Sequence, residues 1–304
     1  MDSSMTDHKA YLVIDVGGTY LKSAILNKEG EVFEGSALMS RACSEGSKEE
    51  ILGAISETIL TGLSFLKNKK LSLYGIGMAF PGPSDYRKGI PLMEHKFKNI
   101  HGVDLREYIA GIPGVSSEIP IRFKHDADAV LEGEQWKGNA QEYNNAAVVT
   151  LGTGLGFFFS QNRINQCNSL GGPVLSIFKL PCKDGILEDY ASKRGFIKIY
   201  KELSGKKDKN IKVSDIGRWA DEGDEDSLRT FSYIGTILAE SLLNIIIERE
   251  IQCLLFGGQI SLSFRHMEAS LKRGLKGAGC LKLISSVSSI ENSALLGVLK
   301  TIIE

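Results

Sequence analysis

The chain lacks an excess of charge of either sign: 36 lysines and arginines stand against 37 aspartates and glutamates in 304 residues, a formal charge of -1 at pH 7. No bulk field recruits nucleic acid or an anionic membrane, and a compact ligand suits such a surface better. Cysteine is scarce. Cys43, Cys167, Cys182, Cys253 and Cys280 contain no C-x-x-C pair, which excludes a disulfide framework and a cysteine-rich zinc site and points to reduced thiols in a cytoplasmic protein. Residues 143–162, the longest stretch without a charge, are full of Asn, Gly, Thr and Gln, so no membrane span is expected. The first ten residues are polar and lack the apolar core of a signal peptide, so the mature protein is expected to begin there. Also absent are G-x-x-x-x-G-K-[ST], H-E-x-x-H and G-x-S-x-G, which removes the P-loop reading and leaves metallohydrolase and serine-hydrolase chemistry without support.

What is present is a globular composition, 42% hydrophobic and 24% charged, long enough for one large or two ordinary domains. Residues 11–16 read as a buried strand, Gly17-Gly18-Thr19 as a turn, residues 21–26 as a second strand and 31–38 as a third, giving an antiparallel meander. Ser47 and Glu50 form a capping box ahead of Ile51, Ile55, Ile59 and Leu63 at helical spacing, and residues 71–80 return to the sheet. Residues 81–120 read as a long loop with a short helix over 105–110. A strand over 121–124 then gives way to a helix that starts at Asp126 or Asp128 and runs to about Trp136. The strand at 146–151, the glycine turn at 152–156 and the strand at 157–159 repeat the opening hairpin, so two topologically related halves are implied. Helical patterns cover 187–203, 214–221, 226–250 and 291–303, and a strand over 253–256 ends on Gly257-Gly258.

Gly152-x-Gly154-x-Gly156 is not a dinucleotide fingerprint, because that motif leads from a strand into a helix and here it leads into Phe157-Phe158-Phe159. Glycine tips between strands either make tight turns or let backbone N–H groups reach phosphate oxygens with no Cβ in the way. Asp15, an acid inside an apolar strand beside the first tip, favours a Mg-phosphate role. His125-Asp126-Ala127-Asp128 places a histidine and two carboxylates within four residues. One Asp could simply cap the helix, and spacing alone does not decide. Gly257-Gly258 reads either as a helix-entry turn or as a place where a nucleoside approaches the backbone.

In this order the motifs resemble the ROK family, the bacterial sugar kinases and sugar-responsive repressors of the actin-like ATPase superfamily, and the likeness is to its glucokinase-like members. Asp15-Val16-Gly17-Gly18-Thr19 resembles the first phosphate motif and residues 150–156 the second; residues 255–260 resemble the adenosine motif and 293–297 the closing helix. The segment 77–82 stands where the family has G-x-x-x-P-G. The resemblance implies an α/β fold of two actin-like, ribonuclease H-like domains with a cleft between them. The small one would comprise residues 1–120 plus 290–304 and the large one 121–289.

It further implies Mg-ATP as cosubstrate, bound by Asp15, Gly17, Gly18, Thr19, Lys22, Gly152, Thr153, Gly154, Gly257 and Gly258, with Asp15 toward Mg2+. The family's N-D-A segment reads His125-Asp126-Ala127 here, so Asp126 keeps the place of the catalytic base, with Gly82, His125, Asp126 and Glu188 as sugar contacts. The family's E-x-G-H aligns with Ser169-Leu170-Gly171-Gly172, and its zinc motif aligns with residues 181–187, where Cys182 stands alone. No zinc is therefore expected, and a preferred sugar other than plain glucose is. The implied activity is phosphorylation of a hexose or N-acetylhexosamine by a cytoplasmic homodimer, with no nucleic-acid or membrane partner. The alternative is a non-catalytic sugar-binding regulator without a DNA-binding domain, since only ten residues precede the first strand.

Overall fold

The structure, a computed structural model, describes residues 9–304. The first eight residues, and with them most of the segment read as free of a signal peptide, lie outside the described residues. The chain forms two units. One takes the described residues up to Trp136 with Cys167–Gly172 and Glu291–Glu304; the other takes Lys137–Gln166 and Pro173–Ile290.

In the first unit, β1 (Lys9–Val16), β2 (Tyr20–Leu26) and β3 (Leu38–Arg41) form the antiparallel meander, and β4 (Ser72–Phe80) adds to β1 in parallel after the helix α1 (Lys48–Lys69). A short hairpin of β5 (Ser84–Asp85) and β6 (Ile90–Pro91), then α2 (Leu105–Ala110), lead to β7 (Ile121–His125) and α3 (Asp126–Lys137). The sheet order is β3-β2-β1-β4-β7. Successive strand residues face opposite sides, and the sequence supplies an apolar residue to each. Leu12 and Ile14 meet Ile51, Ile55 and Ile59 of α1, whose start is fixed by the expected capping box: Glu50 N–H to Ser47 Oγ at 3.2 Å and Ser47 N–H to Glu50 Oε2 at 2.7 Å. Tyr11 and Val13 meet Leu295, Val298 and Leu299 of the C-terminal helix Ser293–Ile303. Asp15 follows Tyr11 and Val13 on that second face.

Two expectations change here. The third strand lies at Leu38–Arg41 rather than 31–38, because Gly35 turns with φ +78° and Ser36 Oγ takes the backbone of Ile25 on both its N–H and its carbonyl, displacing a regular ladder. The unit boundary falls after Trp136 rather than at 120, because β7 pairs in parallel with β4 from Ile76 opposite Ile121 to Phe80 opposite His125. The helix α3 follows it, tied to the C-terminal helix by Ser293 Oγ donating to Glu134 Oε1 at 2.6 Å.

The second unit repeats the plan. Strands β8 (Ala146–Leu151), β9 (Leu155–Gln161) and β10 (Ile164–Asn165) form a meander, and after the hairpin of β11 (Pro181–Cys182) and β12 (Gly185–Ile186) the helices α4 (Leu187–Ala191), α5 (Lys193–Ser204), α6 (Val213–Asp221) and α7 (Glu225–Glu248) follow. Then come β13 (Cys253–Gly257), α8 (Arg265–Gly274) and β14 (Leu283–Ser286), and the C-terminal helix is α9. The order β10-β9-β8-β13-β14 matches the first sheet strand for strand. The helix expected over 187–203 breaks at Ser192, which is extended (φ -122°, ψ 172°) because the Lys193 N–H leaves the helix ladder to reach the Gly152 carbonyl at 2.8 Å. Among the described residues α7 is the one helix long and apolar enough, by length and composition, to cross a membrane, whereas residues 143–162 are mostly taken up by β8 and β9. Phe231, Ile234, Leu238, Leu242 and Ile246 of that helix lie in this unit's core.

Candidate active site

In the first unit, β1, β4 and β7 run parallel with Asp15 opposite Ala79 and Phe80 opposite His125, so Asp15, Gly82 and Asp126 all emerge at the carboxyl ends of their strands. Ligand sites of open α/β sheets form at such ends. Burial first, then the Asp126 carboxylate, raise the Asp15 carboxyl from its usual 3.8 to about 6, against the opposing pull of Lys22, opposite it on β2. A partly desolvated pair of hard oxygen donors of like charge is relieved by a cation.

The structure separates the two carboxylates that spacing left equivalent. Asp128 is 3% exposed and paired with Lys124 at 3.3 Å, while Glu132 approaches the same ammonium at 3.5 Å. Burial pushes the Lys124 ammonium down, and these two carboxylates more than reverse that, so it stays charged. Cys167 Sγ lies 3.9 Å from Asp128 Oδ2, where burial and that carboxylate push its thiol up to about 11. Asp128 is thus committed to a structural network. Asp126 keeps a side chain 39% exposed; its Oδ1 accepts the Ala127 N–H at 2.7 Å and lies 3.1 Å from Nδ1 of the buried His125. It is an oriented, accessible carboxylate in the first turn of α3.

At the first glycine tip, the Gly17 N–H donates to the Tyr20 carbonyl at 2.9 Å, Ser44 Oγ donates to the Gly18 carbonyl at 2.6 Å, and Thr19 is exposed. Sequence reasoning missed Lys96, whose Nζ stands 3.1 Å from where a Cβ on Gly18 would be. Only the fold brings position 96 to position 18.

In the second unit, the Gly152 N–H donates to the Gly154 carbonyl at 3.1 Å, and Glu188 Oε2 accepts the Leu155 N–H at 3.0 Å. The same oxygen lies 3.0 Å from where a Cβ on Gly154 would stand, and Arg194 Nη2 approaches the other carboxylate oxygen at 3.4 Å. Glu188, expected as a sugar contact, is brought to the second glycine tip and braces it; Thr153 is exposed between the two glycines. Gly257 is the last residue of β13, its carbonyl accepting Ser261 Oγ at 2.6 Å, and Gly258 has φ +81°.

Comparison with known proteins settles the family. The profile of the ROK family matches residues 11–300. The chain belongs to the ROK family. Among ROK relatives, the glucokinase of Halalkalibacterium halodurans is 26% identical over 83% of this chain and 80% of its own length. The N-acetyl-D-glucosamine kinase of Haemophilus influenzae is 23% identical over 87% of this chain and 88% of its own. A crystal structure of a ROK glucokinase from Streptomyces griseus, in complex with glucose and AMPPNP, superimposes with a TM-score of 0.80 at 18% identity, covering 96% of this chain and 99% of that one. The fold of this ROK chain is therefore the actin-like two-domain α/β fold, and the enzyme class its relatives support is a sugar kinase.

Gly258 is where this ROK fold tolerates least. A Cβ there would run into the backbone carbonyl of Leu151, the residue before the second glycine tip, and the left-handed φ adds strain for any other residue. Gly258→Ala should lower stability by about 2 kcal/mol or more in urea unfolding. An unchanged midpoint would show that the two loops do not pack as described.

Proposed function

We propose that this chain transfers the γ-phosphoryl group of Mg-ATP to a hydroxyl of a hexose or N-acetylhexosamine, with Asp126 as general base. The observation that carries this reading is the contrast between Asp128, buried against Lys124, and Asp126, oriented by the Ala127 N–H yet accessible. A sugar hydroxyl is a poor nucleophile, and a carboxylate that accepts its proton as its oxygen bonds to the γ-phosphorus, while the bond from that phosphorus to the ADP oxygen breaks, is what the reaction needs. Asp15 would hold the Mg2+ that arrives with ATP, which neutralises charge on the phosphate oxygens. Lys22 and Lys96 supply further positive charge beside Gly17, Gly18 and Thr19. The braced tip at Gly152, Thr153 and Gly154 offers backbone N–H groups to phosphate, and Gly257-Gly258 takes the adenosine. Gly82, His125, Asp126 and Glu188 contact the sugar.

No zinc takes part. The preferred sugar is one other than plain glucose, an N-acetylhexosamine above all, because Ser169 and Gly172 replace larger polar groups that the family resemblance implies. The protein acts in the cytoplasm as a homodimer, without a nucleic-acid or membrane partner.

The test is ADP release from Mg-ATP across a panel of sugars, with protein stripped of zinc by chelator and resupplied with Mg2+. Turnover of an N-acetylhexosamine, undiminished by the stripping, is expected. The highest kcat/KM on glucose would overturn the selectivity, and recovery of activity only on adding zinc would overturn the metal assignment. Tight sugar binding with no ADP release from any sugar would make the chain a regulator instead.

A further inference from the structure

Tyr86 lies just beyond the β5 strand, in a stretch the sequence marks only as loop, and is 4% exposed. Its hydroxyl is one of the few buried side-chain oxygens among the described residues with no hydrogen-bond partner. A buried hydroxyl left unsatisfied costs stability that a phenylalanine of the same shape would not, so its retention calls for a reason. Ser84 lies close enough to pull the phenol's pKa down, but its own hydroxyl proton goes to the Pro81 carbonyl at 3.1 Å, and no hydrogen bond of ordinary geometry reaches the Tyr86 oxygen.

The surroundings of this hydroxyl supply the reason. A Cβ on Gly82 would stand 2.8 Å from the Tyr86 oxygen and 3.5 Å from His125 Nε2, so the bare α-carbon of an exposed glycine fronts both groups. The Tyr86 and His125 rings meet edge to face with centroids 5.6 Å apart. The opposite side of Tyr86 is sealed by the segment Cys167–Gly172: the Tyr86 N–H donates to the Leu170 carbonyl at 2.8 Å, and Cβ atoms on Gly171 and Gly172 would lie 3.2 and 3.4 Å from the Tyr86 side chain. Asn168 Oδ1 fixes that segment by accepting the N–H groups of Leu170 at 2.9 Å and Gly172 at 3.1 Å. The phenol is therefore immobilised from behind and points its oxygen toward Gly82 and His125, the residues assigned to the sugar. Burial first, then the Asp126 carboxylate, hold the phenol well above its usual value, with Ser84 pulling it down and Asp128 adding a smaller push up, so it stays a neutral O–H able both to donate and to accept.

On the reading of this chain as a sugar kinase, we infer that the Tyr86 hydroxyl is a substrate-binding and specificity-determining group that completes its hydrogen bonding with one hydroxyl of the bound sugar. The segment that lacks polar side chains at Gly171 and Gly172 leaves that task to the tyrosine packed against it.

The test compares wild type with Tyr86→Phe, which deletes the oxygen and keeps the ring. Sugar binding is followed by calorimetry, phosphorylation by ADP release, and folding by thermal unfolding, using the preferred sugar and its single-deoxy analogues. The variant is expected to unfold at the same temperature as wild type or higher, to keep its KM for ATP, and to bind the sugar about tenfold more weakly. One deoxy analogue should cost wild type a similar factor and cost the variant nothing more, which identifies the hydroxyl concerned. Equal sugar affinity in the two proteins, or the same penalty for every deoxy analogue in both, would overturn the inference while leaving the kinase reading intact. Tyr86-dependent sugar binding without turnover in wild type would support the inference and overturn the kinase reading. A wild type that binds no sugar would overturn both.

Discussion

Asp126→Asn should bind ATP and sugar nearly as wild type does and lower kcat by about 10²-fold or more. Asparagine keeps the size of the side chain and an oxygen that can still accept the Ala127 N–H, now held at 2.7 Å, so α3 should start as before. What it loses is the capacity to take a proton from the sugar hydroxyl as the phosphoryl group transfers. A loss confined to kcat marks an interaction that matters in the transition state, whereas a rise in KM with kcat unchanged would mark Asp126 as a sugar contact only. Steady-state kinetics on the preferred sugar separate the two, and near-normal kcat would remove Asp126 from the role of base.

Asp15→Asn should weaken productive use of Mg-ATP by at least about tenfold in apparent KM if, as proposed, its carboxylate holds the metal. The same substitution has a second, opposite consequence. The Asp15 carboxyl sits at about 6 in the folded chain against 3.8 ordinarily, so the native state holds a proton that the unfolded chain has already released. Stability therefore declines as pH rises from about 4 to about 6 and stays at its reduced level above that. An asparagine carries no charge to bury, so the metal-free variant should unfold at a higher temperature than wild type well above pH 6, and this gain should vanish near pH 4. Lost activity with gained stability is the pattern of a functional group kept at a structural cost. A variant that is less stable at every pH and unchanged in its Mg-ATP dependence would make Asp15 structural.

The two glycine tips, the repeated hairpin and the capped α1 were legible because each rests on neighbouring residues: periodicity, a capping box, glycine between apolar runs. The strand at Leu38–Arg41 was misplaced because a side-chain bond from Ser36 to the backbone of Ile25 replaces the ladder, and no local pattern announces that. The first unit's boundary was set too early because β7 joins β4 across the hairpin and helix of residues 81–120, a long-range pairing that composition does not encode. At the site, spacing alone left Asp126 and Asp128 alike and the family resemblance chose Asp126; that Asp128 is already engaged shows only in the position of the Lys124 ammonium. Lys96 and Tyr86 were invisible for the same reason: each gains its meaning from a glycine, Gly18 or Gly82, that the fold brings to it.

This ROK chain is expected to move a phosphoryl group from ATP to a sugar. Phosphorus NMR of the wild-type protein with Mg-ATP and its preferred sugar tests this most directly, because it distinguishes sugar phosphate from free phosphate. A phosphomonoester signal that grows in step with ADP, and is absent when sugar is omitted or Asp126→Asn is used, is the expected result. Persistence of ATP with every sugar the protein binds, or its conversion only to inorganic phosphate, would contradict the account.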